Sequence, residues 1–250
     1  MLQEAMDLQQ RAISQLLNKI DGKKELTFRA PTGSGKTRMM ADFMNRVLSQ
    51  RTSVIFLVST LSKGNLAEQN YRVFKDCADN NLFAALNPCL ISSESASEER
   101  LFIPEGYNVY VLPRDLYKDN SKLKDQGVFL DFLERTTANL WGNGQNKQVW
   151  LIKDECHQAT TNLDGLNSFF DKVINFSATP NLKRGQHPDV EITDEAAQNA
   201  KLIKMVVWGD ESDTVEADIC KFEEIREQYV NLLNVNPCLI IQISNKEKAE

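Results

Sequence analysis

Histidine is almost missing: two in 250 residues. That leaves little material for a soft-metal centre, which wants several Cys or His at ligand spacing. Five cysteines sit at 77, 89, 156, 220 and 238, and no pair is spaced like a zinc knuckle or a redox motif. They read as reduced thiols in a cytoplasmic protein. No apolar run approaches the ~18 residues that a membrane span needs; the longest strand-like run is "VIFLV". The opening "MLQEAMDLQQ" is acidic and polar, unlike a secretory signal. There is no excess of positive charge either. The formal net charge is −6, so a nucleic-acid partner would need a local basic face.

What is present is enough for a core. The chain is 42% hydrophobic and 26% charged, too apolar for disorder. Apolar, β-rich runs alternate with helix-like stretches. "ELTFRA" (25–30) precedes a glycine turn and "KTRMMADFMNRVLSQ". "SVIFLVS" (53–59) precedes "NLAEQNYRVFKDC". "NVYVLP" (108–113), "VWLIK" (149–153), "VINFS" (173–177), "LIKMVVW" (202–208) and "CLIIQI" (238–243) complete the set of expected strands. Strands that are continuously apolar require cover on both faces, as in a parallel sheet, and the alternation predicts an α/β fold. "PNLKRGQHPDVEITDE" (180–195) loses periodicity and reads as a linker. The expected organisation is a first domain over 1–182, a linker over 183–200, and the start of a second domain over 201–250. The closing "SNKEKAE" reads as an opening helix without a terminator, so a truncated second lobe is expected.

Two segments carry chemistry. "APTGSGKT" (30–37) lies between an expected strand and an expected helix, the setting of a phosphate-binding P-loop. Backbone N–H groups of Thr32, Gly33, Ser34 and Gly35, with the helix N-terminus, form a concave anion site. Lys36 reaches the β- and γ-phosphates, and Thr37 offers a hydroxyl to Mg²⁺. Ala30 stands where the general motif has its first glycine. The second segment is "LIKDECHQAT" (151–160), a strand that ends in Asp154-Glu155-Cys156-His157. On its own, this quartet fits a transition-metal site, a thiol nucleophile or half of a nucleotide site. The P-loop upstream favours the last. In a parallel sheet the strand C-terminal ends converge on one edge. Asp154 then holds the Mg²⁺, a hard ion that prefers oxygen. Glu155 orients and deprotonates the attacking water. "NFSATP" (175–180) ends the next strand, and Ser177 and Thr179 are placed to bond His157 and couple the γ-phosphate state to a moving lobe. Ser59, Thr60, Lys63 and Arg114 fall in loops after strands, where hydroxyls and cations suit nucleic-acid phosphates; solvated surface charge is the competing reading for each.

The order "APTGSGKT", "DECH", "FSATP" resembles the superfamily 2 helicase core in its DExH-box form. "LQQRAI" (8–13) resembles that family's N-terminal glutamine motif, which implies that Gln9 reads adenine. The "SATP" ending, "AKLIKMVV" and "PCLIIQIS" look most like the Res subunit of type III restriction enzymes. The resemblance implies a RecA-like P-loop domain with a mostly parallel sheet, ATP and Mg²⁺ as cofactors, and catalytic roles for Lys36, Asp154, Glu155 and His157. It implies an ATP-driven motor on double-stranded DNA that partners a modification (methyltransferase) subunit. It also implies weak activity for this chain alone, because the second-lobe motifs and the arginine finger are missing. Another DExH helicase, acting on RNA or on DNA repair intermediates, and a non-catalytic nucleotide-dependent binding module are the alternatives.

Overall fold

The computed structural model describes residues 3–60, 65–91, 103–117, 124, 127–138, 147–156, 161–204, 214–234, 236 and 238. The chain divides into two units, Met1–Met205 and Val206–Glu250.

In the first unit, seven strands form one sheet, and every pairing is parallel. They are β1 (Glu25–Arg29), β2 (Val54–Thr60), β3 (Pro88–Leu90), β4 (Val109–Pro113), β5 (Gln148–Asp154), β6 (Lys172–Ser177) and β7 (Val190–Glu191). Their order across the sheet is β3-β4-β2-β5-β6-β1-β7. This is the expected α/β, RecA-like architecture, with the parallel character complete among the described strands.

Helices α1 (Gln3–Ile20), α2 (Lys36–Gln50) and α3 (Leu66–Asp79) cover one face. α1 buries Ala5, Ala12, Ile13, Leu16 and Ile20, a spacing that puts them on one stripe. Against these helices the strands turn Leu26, Phe28, Phe56, Trp150, Ile174 and Phe176, all at 0% exposure. Rings interlock there: Phe56 meets Trp150 edge-on at 5.6 Å, and Phe28 lies 4.8 Å from Phe176. α4 (Val128–Thr137) covers the opposite face, where Phe129, Phe132 and Leu133 pack with Ile55, Leu57, Val149 and Leu151.

Residues 183–200, expected as a linker, differ from that expectation. β7 pairs with β1, and Ile192 and Ala197 are buried. The short helix α6 (Asp194–Asn199) begins at Thr193, whose Oγ1 accepts from the Ala196 N–H at 3.1 Å. A still shorter helix, α5 (Thr161–Asp164), follows β5. Leu202–Lys204 carry no strand, and the rest of the strand expected over 202–208 lies outside the described residues, as does most of 238–243. In the second unit, Thr214 caps α7 (Val215–Leu233) by accepting from Ala217 N–H at 3.3 Å. No helix among the described residues is long and apolar enough to cross a membrane.

Candidate active site

β1 ends at Arg29, and the chain turns through 30–35 into α2. The turn needs glycine twice: Gly33 has φ 81° and Gly35 φ 79°, left-handed values that side chains disfavour. Gly35 has a second reason. A Cβ there would stand 2.9 Å from Gln9 Nε2, which donates to the Ser34 carbonyl at 2.8 Å. Gly35 is also the N-cap of α2 and has no side chain with which to cap it. The first N–H groups of that helix are therefore left for an anion. Lys36 folds over its own loop, with Nζ 3.4 Å from the Ala30 carbonyl and 3.5 Å from that of Pro31. Ser34 is 1% exposed, and its hydroxyl has no partner among the described residues. An orphaned buried hydroxyl in this glycine turn fits a loop built around a phosphate.

The acid pair meets this loop across one crevice. Lys36 Nζ lies 3.9 Å from Glu155 Oε1, with only 10% of the lysine side chain exposed. Thr37 Oγ1 donates to Asn70 Oδ1 at 3.1 Å, and Asn70 Nδ2 donates to Asp154 Oδ2 at 2.9 Å. Thr60 Oγ1 donates to the same carboxylate oxygen at 3.3 Å. Asp154 is 7% exposed. The donor set between Thr37 and Asp154 is thus all oxygen, a chemistry that fits Mg²⁺.

Glu155 adopts φ 52°, a left-handed conformation that costs a non-glycine residue about 1–2 kcal/mol. Arg114, on the turn after β4, braces it. Its guanidinium donates to the carbonyls of Asp154 and, at 3.5 Å, Glu155, and to Ser59 Oγ at 3.3 Å. Burial lowers the Arg114 pKa from its ordinary value, and the charges of Asp154 and the neighbouring Cys156 and Glu155 oppose that shift. Burial also raises the Cys156 thiol, while Arg114 and a hydrogen bond with Ser177 pull the other way. A raised thiol is a poor nucleophile at neutral pH.

The Type III restriction enzyme, res subunit family matches residues 3–182. The chain belongs to this family. Residues 3–182 of this Res-family chain are accordingly a helicase-type ATPase motor domain. No curated protein matches it. Among solved structures it is similar to the Sulfolobus solfataricus SWI2/SNF2 ATPase core in complex with dsDNA, at 15% identity over 69% of this chain and 31% of that one, with a TM-score of 0.42. It is similar to S. cerevisiae Dbp5 bound to RNA and ADP BeF3, at 19% identity over 78% and 43%, with a TM-score of 0.45. It is also similar to a nuclease-deletion mutant of the Type ISP restriction-modification enzyme LlaGI in complex with a DNA substrate mimic, at 13% identity over 89% and 22%, with a TM-score of 0.47. The chain spans less than half the length of each of these chains.

Most residues singled out in the sequence gather at this crevice: Gln9, 32–37, Asp154 and Glu155. Ser177 is 0% exposed, and its Oγ accepts from Thr179 N–H at 3.1 Å, while the Thr179 side chain is exposed. His157 and Lys63 lie outside the described residues. Ser59, Thr60 and Arg114 differ from their expected place as nucleic-acid contacts. Both hydroxyl residues are 0% exposed; Thr60 and Arg114 turn inward to the end of β5, and Ser59 accepts from Arg114. The cause is that β2 and β4 flank the acid strand's side of the sheet, so their terminal polar groups satisfy its carboxylate and carbonyls. Asn70 was not foreseen. Its one sequence signal is a polar residue in the stripe Ala67, Phe74, Cys77 that α3 buries.

Proposed function

We propose that this Res-family chain is the ATP- and Mg²⁺-binding, ATP-hydrolysing domain of a motor that moves on double-stranded DNA, and that it hydrolyses ATP only weakly alone. The observation that carries the reading is the 3.9 Å approach of Lys36 Nζ to Glu155, two segments far apart in sequence that share one crevice. Lys36, Ser34 and the amides of 32–35 hold the phosphates, and Gln9, held against the P-loop, reads adenine. Thr37 and Asp154 hold the ion. Bound Mg²⁺ would neutralise charge on the phosphate oxygens. Glu155 takes a proton from the attacking water, while Arg114 keeps its backbone in the required turn. His157, Ser177 and Thr179 pass the nucleotide state onward. The protein partner on this reading is a DNA-modification methyltransferase subunit.

Nucleotide binding and ATPase assays test this, with duplex DNA, RNA or neither added. Glu155→Gln is expected to retain nucleotide and to lose about 10²–10⁴ in kcat, the usual worth of a general base. Lys36→Ala is expected to lose nucleotide binding, and duplex DNA to raise kcat. Stimulation by RNA alone would move the chain to another branch of helicases. Nucleotide binding without turnover under any condition would make it a binding module.

A further inference from the structure

Asn70 stands where α3 otherwise buries Ala67, Phe74 and Cys77. Asparagine is a weak helix former, and an apolar residue there would both favour the helix and fill the stripe. Asn70 is instead 4% exposed, so its amide must be satisfied from within. Three groups do so: Thr37 Oγ1 at 3.1 Å, Asp154 Oδ2 at 2.9 Å and Thr60 Oγ1 at 3.4 Å.

We propose that Asn70 is a positioning residue that turns the free lone pairs of Thr37 and Asp154 toward a divalent cation. This rests on the reading of the crevice as a nucleotide–Mg²⁺ site. An ionised carboxylate only accepts hydrogen bonds, so the amide nitrogen faces Asp154 and the amide oxygen faces Thr37. Thr37 therefore spends its proton on Asn70, which leaves its lone pairs for a cation. Asp154 Oδ2 is occupied by two donors, Asn70 and Thr60. Oδ1 receives no hydrogen bond among the described residues. One amide thereby sets both oxygens that a hard ion would meet.

The test is the Mg²⁺ dependence of binding of a fluorescent ADP, N-methylanthraniloyl-ADP, to wild type, Asn70→Leu and Asn70→Ala. Both substitutions suit a helix, and thermal melting reports whether each variant is folded. The expected result is unchanged ADP affinity in EDTA and a Mg²⁺ midpoint raised about 10–100-fold, the usual effect of removing a partner of metal ligands. Excess Mg²⁺ then restores wild-type affinity. A wild-type Mg²⁺ midpoint in either folded variant overturns the proposal. So does an equal loss of ADP affinity with and without Mg²⁺, which is what a purely structural asparagine would give. Wild-type protein that binds no ADP overturns the nucleotide reading itself, and the proposal with it.

Discussion

The two faces of the sheet are built to different rules. On the face under α1–α3, the inward residues of β1, β2, β5 and β6 are apolar, from Leu26 and Phe28 through Phe176 to Trp150 and Phe56, until Thr60 and Asp154 at the strand ends. On the opposite face the apolar layer beneath α4 reaches only Val173 of β6 and does not extend to β1. There the strands turn Glu25, Thr27, Lys153 and Asn175 into a polar cleft of about 1010 Å³. The buried polar groups of that region are matched. Asn175 Nδ2 donates to Glu25 Oε1 at 2.7 Å, Lys153 meets Asp164 at 2.5 Å, and Asp189 accepts from Lys23 and from the Thr27 N–H. The difference teaches where rigidity is placed. The helices that bring Lys36, Thr37 and Asn70 to the crevice rest on this apolar slab, where contacts fix position by shape. The polar face is held by discrete pairs.

Substitutions measure that contrast. The largest effect is expected at Phe176→Ala, a fully buried ring in the slab, with a loss of about 3–5 kcal/mol in denaturant unfolding. Asn175→Ala, the next residue but on the other face, is expected to cost about 0.5–1.5 kcal/mol, a single hydrogen bond. Equal costs at these neighbours would break the comparison. The smallest effect concerns pH. Burial alone would raise the Asp189 carboxyl, but Lys23 and the Thr27 N–H outweigh it and hold it below its usual value. A depressed carboxyl stabilises the fold above the ordinary carboxylate range, and that contribution fades as pH falls through the folded-state value. Wild type is therefore expected to melt higher than Asp189→Asn near neutrality, and the two are expected to converge in acid. A difference that persists unchanged on acidification would assign the role of Asp189 to packing.

The strands of the sheet's interior were legible because their apolar runs are long. β3 and β7 were not: three and two residues on the sheet's edges leave no periodicity to read. β7 also sits among Pro, Gly and charges, and only Thr193 followed by Asp194 and Glu195 marks a helix start. "ELTFRA" carried a finer signal than continuous apolarity. Its Leu26 and Phe28 alternate with Glu25, Thr27 and Arg29, the pattern of a strand with one wet face. At the site, the P-loop and the acid pair were readable because each function is local in sequence. Asn70, and the inward turn of Ser59, Thr60 and Arg114, were not. Their roles exist only through which strands become neighbours, and spacing along the chain does not report that.

The phosphate loop and the acid pair grow from strands that do not touch, because β6 runs between them. Its last two carbonyls moor both sides: Phe176 O accepts from Cys156 N–H, and Ser177 O from Ala30 N–H, each at 3.2 Å. Two consecutive peptide units thus serve as the gauge block of the crevice. They set the two backbones two strand widths apart, roughly 10 Å, and leave the long arms of Lys36 and Glu155 to span the rest. Any movement of that one strand end is delivered to both jaws at once.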